Sequence, residues 1–407
     1  MIPSTRGPRR LALVTSHPVQ YYAPWFRALA RRLPGSLRVF YLWQNQPPDR
    51  PPGIDREFGR PLRWDCDLLG GYEHEFVANT AAEPGTHHFH GLRNPALPDR
   101  LRAHTPDAVL LLGYGWNSPL RLALTWRDCP LILRGDSHDL GRSPGARSLL
   151  RTWTLRALFT RFTAFAAVGT ANRAHYLRHG VPPGRIFQVP HCVDNHAFAT
   201  AADPAAALAW RRALGVPDRH RLVGFAGKLV RKKRPDLLLR AFARLAAPDT
   251  SLVFIGDGAL APELHALAAA RAPSTPVHFV PLQNQSAMPP ALAALDLLVL
   301  PSEGPGETWG LVVNEAMAVG VPALVSTHVG CRADLIVEGV TGWSFPAGDE
   351  SALTATLARA LAALAARPDT FRAATRAHLA ACSPDAAAAA FARLLDALPA
   401  PPASSPP

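Results

Sequence analysis

Lysine is nearly missing from this sequence. Of 43 lysines and arginines, only Lys228, Lys232 and Lys233 are lysine. Long apolar runs are missing as well. No stretch of eighteen uncharged apolar residues occurs, which argues against a membrane-spanning helix. Cysteine is sparse: Cys66, Cys129, Cys192, Cys331 and Cys382 stand at no metal-binding or disulfide spacing, a pattern that favours a reducing compartment and buried thiols. The opening MIPSTRGPRRLALVTSHPV is basic and then apolar, but LALVTS is too short for the core of a secretion signal and reads as a first strand. No zinc-finger or RNA-binding signature occurs, so nucleic acid is not expected as a partner. THHFH (86–90) has no second ligand cluster at suitable spacing, so no metal is expected. No fixed-period repeat is present.

What remains is a chain of 407 residues, 48% hydrophobic, long enough for two domains with sizeable cores. Its net charge of +12 is lopsided. Residues 1–200 hold 25 arginines against 14 acids, whereas residues 201–407 are nearly balanced, with 18 basic and 17 acidic side chains. A basic half suits an anionic partner such as a membrane surface or a phosphorylated lipid. The first helix candidate, PWFRALARRL (24–33), sets Arg27, Arg31 and Arg32 opposite Trp25, Phe26 and Leu29, an arrangement able to rest on an anionic bilayer. A solvated helix face explains the same pattern. The expected location is the cytoplasm, reaching to the inner face of the cell membrane. The lysines carry a sharper message, because all three fall within six residues. Where arginine is the default, a retained lysine suits a compact point contact to phosphate.

Short apolar runs alternate with helix-like stretches from end to end, the signature of an α/β chain. Strands are expected at 11–16, 37–43, 108–113, 130–135 and 165–169, with a helix at 171–180 closed by Gly180. A second series starts near residue 221: RLVGFAG, then the amphipathic RPDLLLRAFARLA, then SLVFIGDG, VHFVPL, ALDLLVLPS and VPALVS as strands with helices between. Such apolar runs suit parallel strands covered on both faces. The expected fold is therefore α/β, with two Rossmann-like doubly wound parallel-sheet domains. The first spans 1–197 and the second 198–380. The irregular DNHAFATAADPAA would form the hinge near 195–205. A helix over 381–398 would pack back toward the first domain, and 399–407 would form a disordered tail.

One segment concentrates the chemistry. In GETWGLVVNEAMAVGVPALVS (306–326), Glu307 and Glu315 interrupt an otherwise apolar stretch. Glutamate is rarely buried without a partner. The segment reads as a Gly/Pro loop at the carboxyl end of a buried strand, followed by a helix over WGLVVNEAMAVG. Ligands of open α/β sheets sit there, facing helix N-termini. If helical, Glu315 lies about two turns beyond Glu307, roughly 12 Å at most. The two carboxylates could then accept hydrogen bonds from hydroxyls at both ends of a sugar nucleotide. The amides of Thr308, Trp309, Gly310 and Leu311 would lie between them, near its phosphates.

The segment resembles the Glu-x7-Glu signature of glycosyltransferase family 4, retaining enzymes of the GT-B fold. GFAGKLVRKKRPDLLLRAF (224–242), IGDGALAPELHALA (255–268), LDLLVLPSE (295–303), VGCRADLIVEGVTGW (329–343) and PAGD (346–349) follow the same pattern, densely in the second half and loosely in the first. The resemblance implies that Glu315 holds the ribose hydroxyls of a UDP- or GDP-sugar and Glu307 the hydroxyls of its sugar. Lys228 and Lys233, beside Gly227, would neutralise the leaving diphosphate. It implies no cofactor and no metal, the nucleotide sugar being a co-substrate. Transfer would go to an acceptor hydroxyl on a sugar or lipid-linked molecule, as in cell-surface polysaccharide or glycolipid synthesis. VPHCVDNHAF (189–198) resembles the family's interdomain segment, with His191 and Cys192 where Asn-Gly is usual.

The first domain should supply the acceptor side. His138, in RGDSHDLGR (134–142), resembles a family histidine near the transferred sugar, with Asp136 and Arg134 beside it. SHPVQYYAP (16–24) stands where many relatives carry a Gly-rich loop; it has no glycine, leaving His17 or Gln20 to serve. Trp116, in GYGWNS (113–118), offers an aromatic face. Two rivals predict different outcomes. An epimerase on the same fold would convert a sugar nucleotide with no acceptor, and a silent binding protein would hold one without reaction.

Overall fold

The computed structural model describes residues 9–45, 54–55, 60–143, 145–271 and 276–399. From residue 400 onward, the expected tail lies outside them. Seven parallel strands form the first sheet: β1 (Leu11–Thr15), β2 (Leu37–Tyr41), β3 (Glu73–Phe76), β4 (Ala108–Leu112), β5 (Leu131–Arg134), β6 (Ala164–Ala167) and β7 (Ile186–Gln188), in the order β3-β2-β1-β4-β5-β6-β7. Six more form the second: β8 (Arg221–Ala226), β9 (Thr250–Ile255), β10 (Val277–Val280), β11 (Leu297–Leu300), β12 (Ala323–Ser326) and β13 (Gly342–Phe345), in the order β10-β9-β8-β11-β12-β13. In both sheets the strand order reverses beside the first strand, which opens a crevice at the carboxyl ends of β1 and β4 and of β8 and β11. A two-residue antiparallel pair, Ile54–Asp55 with Arg60–Pro61, stands apart from both.

β1, β4 and β5 are buried along their whole length, as sheets covered on both faces require. Three strands escape a hydropathy reading. β3 is EHEF, an edge strand whose Glu73 meets Arg38 of β2 at 3.1 Å. β7 and β13 are only three and four residues long.

The helices used below are α1 (Ala23–Arg32), α2 (Ala146–Phe159), α3 (Pro235–Leu245), α4 (Leu311–Ala318) and α5 (Pro384–Ala397). The terminal helix α5 returns to the first domain. Phe391, Leu394 and Leu395 join Trp25, Phe26 and Leu29 of α1 in one core, with Trp25 and Phe391 edge to face at 6.0 Å. This packing leaves α1 no apolar face to lay on a membrane, in keeping with the alternative of a solvated helix face. Its apolar face is spent on α5, Arg31 pairs with Asp385 at 3.0 Å, and Arg27 donates to the carbonyl of Asp67 at 3.1 Å. The exposed apolar side chains lie elsewhere: Leu149, Leu150 and Trp153 of α2 are each about two-thirds exposed.

The stretch expected to be irregular near 195–205 is helical. Asn195–Ala201 and Pro204–Ala213 are helices, capped by Asp194 and Asp203, whose carboxylates accept from the amides of Ala197 and Ala205 at 3.0 Å. Alanine, the strongest helix former, fills both. Only Ala202 and Asp203 separate them. A boundary after residue 197 thus falls inside a helix, and Phe198 packs in the second domain's core with Val216.

Candidate active site

Loops from the carboxyl ends of four strands meet between the domains: 16–22 after β1, 135–143 after β5, 227–234 after β8 and 301–310 after β11. They enclose a cavity of about 480 Å³. The first domain lines it with Gln20, Tyr21, Tyr22, Trp64, Asp136 and His191. The second supplies Gly227, Lys228, Lys233, Gln285, Glu307, Thr308, Trp309, Gly310, Leu311 and Glu315. Four side chains separated by up to 87 positions, Lys228, Lys233, Glu307 and Glu315, therefore share one pocket. A larger cavity of about 620 Å³ lies between α1 and the start of α5. There Arg31 is paired with Asp385 and Arg376 donates to the carbonyl of Val319, so its charges are already satisfied.

Local backbone sets the two glutamates. Gly310, at φ +95°, turns the chain into α4, and a Cβ there would meet Leu300 at 2.8 Å. The helix therefore starts at Leu311, not at Trp309, and 307–310 are a loop. This corrects the expected two-turn helical spacing: Glu315 stands in the second turn of α4 and Glu307 before it. Trp309 does not project into solvent; its indole donates to Asn314 Oδ1 at 2.8 Å.

Glu307 is firmly held. Its Oε2 accepts from Lys233 Nζ at 2.6 Å and from Ser302 Oγ at 2.9 Å. Glu315 is different. It is 2% exposed, and its Oε1 has no hydrogen-bond partner. Burial pushes its carboxyl up to about 7, although the Tyr21 hydroxyl, the Gln285 amide and the Lys233 charge pull the other way. A buried acceptor with no donor is costly. Here it borders a cavity, where a ligand hydroxyl can supply the missing bond.

Lys228 and Lys233 both line the cavity, whereas Lys232 turns to the loop after β11, its carbonyl accepting from the Glu303 amide at 2.8 Å. Gly227, at φ +139°, makes a close turn beside Lys233; its absent Cβ would lie 3.6 Å from the Lys233 chain. On the opposite wall Asp136 accepts from Thr308 Oγ1 at 2.7 Å, across the domain boundary. Arg134 is buried under Trp25 at 4.5 Å and donates to the carbonyls of Val189 and Pro190, which ties the interdomain segment to β5.

Three expected site residues lie outside the cavity. His138 is 1% exposed and has both ring nitrogens engaged. Its Nδ1 accepts from the Leu140 amide at 3.2 Å, so the proton sits on Nε2, which donates to the Glu307 carbonyl at 3.0 Å. Burial lowers its pKa. In this arrangement it joins the two domains and has no nitrogen to offer a sugar. His17 bonds Ser16 at 2.9 Å and packs against Trp43. Trp116 donates to the carbonyl of Thr86 at 3.0 Å. Among the cavity residues, Tyr21, Tyr22 and Trp64 were given no role in the sequence, and His191 was placed only in the interdomain segment. QYY, where a glycine loop was looked for, was the available signal for two of them. His191 packs its ring on Trp309 at 5.5 Å, and burial drives its pKa well down.

Residues 207–378 match the family of glycosyl transferases group 1. Over 169 residues, 40% of this chain, the sequence is 39% identical to the D-inositol 3-phosphate glycosyltransferase of Mycobacterium sp. (strain JLS). The match takes in only 36% of that relative's length. The fold likeness extends over both domains. Anabaena HepE in complex with UDP superposes with a TM-score of 0.72 at 18% identity, covering 96% of this chain and all of the other. Sucrose-phosphate synthase from Thermosynechococcus elongatus gives 0.68 at 20% identity, covering 95% and 98%. Residues 207–378 thus resemble the glycosyl transferases group 1 family, within a two-domain chain that has the GT-B fold.

Proposed function

We propose that the chain is a retaining, metal-independent glycosyltransferase that moves a hexose from a UDP- or GDP-sugar to an acceptor hydroxyl. The observation that carries this reading is the single cavity in which two lysines, two glutamates and a helix start converge between the domains. A diphosphate beside Lys228, Lys233 and the first amides of α4 would meet positive charge on two sides. Charge that builds on the leaving diphosphate is then stabilised by groups already in place, which is the largest single source of catalysis in such sites. The unpartnered oxygen of Glu315 would accept from the ribose hydroxyls, and Glu307, fixed by Lys233 and Ser302, from the sugar. Retention fits a pocket in which the leaving phosphate itself can take the acceptor's proton, so no separate base is required.

The acceptor would approach from the wall formed by Gln20 and Asp136. The mycobacterial relative is matched over only 40% of this chain, so its name says nothing of this acceptor. Cell-surface polysaccharide or glycolipid synthesis fits a basic first domain that presents Leu149, Leu150 and Trp153 of α2 toward an anionic bilayer. A thermal-shift screen against UDP-, GDP- and ADP-sugars tests the reading without knowledge of the acceptor. One donor should raise the Tm of the wild-type protein and leave Glu315→Ala unmoved. Equal shifts in both proteins would overturn it.

A further inference from the structure

The loop that carries Asp136 and His138 to the cleft is also tied down on its far side. Asp139 points away from the cavity toward the end of the helix Thr170–Arg178, where HYLRH (175–179) sets His175 one turn before His179, the C-cap residue. Asp139 Oδ2 lies 2.9 Å from His175 Nδ1 and 3.6 Å from His179 Nε2. Its other oxygen is held by Arg151 of α2 at 3.1 Å, with Arg142 at 3.6 Å. Both imidazoles are buried, at 0% and 2% side-chain exposure. Yet His179 Nε2, the atom that faces Asp139, has no hydrogen-bond partner. Buried polar atoms left in this state ask for an explanation.

We infer that Asp139, His175 and His179 form a structural zinc site. Ligand atoms in a tetrahedral zinc centre, at about 2.0–2.2 Å from the metal, lie roughly 3.3 Å from one another. The two separations measured to Asp139 Oδ2 bracket that value. The set is two imidazole nitrogens and one carboxylate oxygen, a donor set suited to zinc, with a fourth position for water. Arg151 on the second carboxylate oxygen fixes the orientation of Asp139, as groups behind a metal ligand commonly do. Asp139 is 15% exposed, which leaves a path for the ion. A zinc ion here would join the 135–143 loop to the helix Thr170–Arg178, with Arg151 of α2 behind the carboxylate. It would support the cleft from outside and take no part in transfer. The exposed trio Glu83, His87 and His88 is the other candidate group among the described residues; its His88 Nε2 already bonds the Glu83 carbonyl at 2.9 Å, and it serves as the control.

The test loads the full-length protein with zinc chloride, desalts it, and measures bound metal by mass spectrometry. Wild type and a His87→Ala/His88→Ala variant should each keep about one zinc per chain. His179→Phe, which preserves ring packing against Phe159, should keep none, and so should Asp139→Asn as an independent second variant. Cobalt(II) in place of zinc should give wild type the intense visible absorption of a tetrahedral centre, absent from His179→Phe. Zinc should raise the Tm of wild type and not that of His179→Phe. Absence of zinc from loaded wild type, or equal retention by both ligand variants, or loss in the His87/His88 variant, would overturn the assignment.

Discussion

Glu315 should make donor binding release a proton. In the empty cleft its carboxyl titrates near 7, because burial raises it above the ordinary value of 4.5. Two ribose hydroxyls that donate to the carboxylate favour its ionised form. At pH 6 the empty site is about nine-tenths protonated, so binding should release close to one proton; at pH 8 it should release about 0.1. Affinity should rise about tenfold from pH 6 to pH 8, or about 1.4 kcal/mol. The ligand adds no titration of its own, because both phosphates of a sugar nucleotide are esterified. Burial lowers the pKa of both His138 and His191. Calorimetry at pH 6 in two buffers of different ionisation enthalpy reads the proton count directly. Glu315→Gln should bind weakly and show no buffer dependence. A wild-type enthalpy identical in both buffers would refute the reasoning. Stability carries the matching sign. A raised folded pKa contributes stability that is complete below about 4.5 and is lost as pH rises through about 7, a total of about 3 kcal/mol. The empty wild-type protein should thus lose Tm relative to Glu315→Gln between pH 6 and 8.

Three further outcomes are expected. Lys228→Ala should lower kcat by about 10²–10³, as the removal of one preorganised charge contact to a developing anion does, with the fold intact by circular dichroism. Phe391→Ala should cost about 3–5 kcal/mol in denaturant unfolding, since Phe391 is wholly buried against Trp25; a cost below 1 kcal/mol would mean that α5 is dispensable to the first domain. Replacing Leu150 and Trp153 together with serine should reduce co-sedimentation with phosphatidylglycerol vesicles several-fold, because both side chains are about two-thirds exposed and leave no core cavity behind.

The second domain was the more legible half. Most of its strands are apolar runs, and its lysines stand out against an arginine background, so RLVGFAG and the KLVRKK loop marked their own places. In the first domain, β3 is too charged and β7 too short for hydropathy to reveal, and alanine-rich 195–213 lacked the periodicity that separates helix from linker. Polarity and spacing along the chain singled out Glu307 and Glu315, because a carboxylate in an apolar run needs a partner. They also singled out Lys228 and Lys233 and the α/β alternation. The tertiary structure alone decided what those groups face. It turned His138 inward to the Glu307 carbonyl, brought Tyr21 across the domain boundary to Glu315, covered α1 with α5, and set Asp139 beside two histidines 36 and 40 positions away. Such contacts join residues far apart in the chain, and a one-dimensional pattern records what a residue is, while its direction depends on every element packed around it.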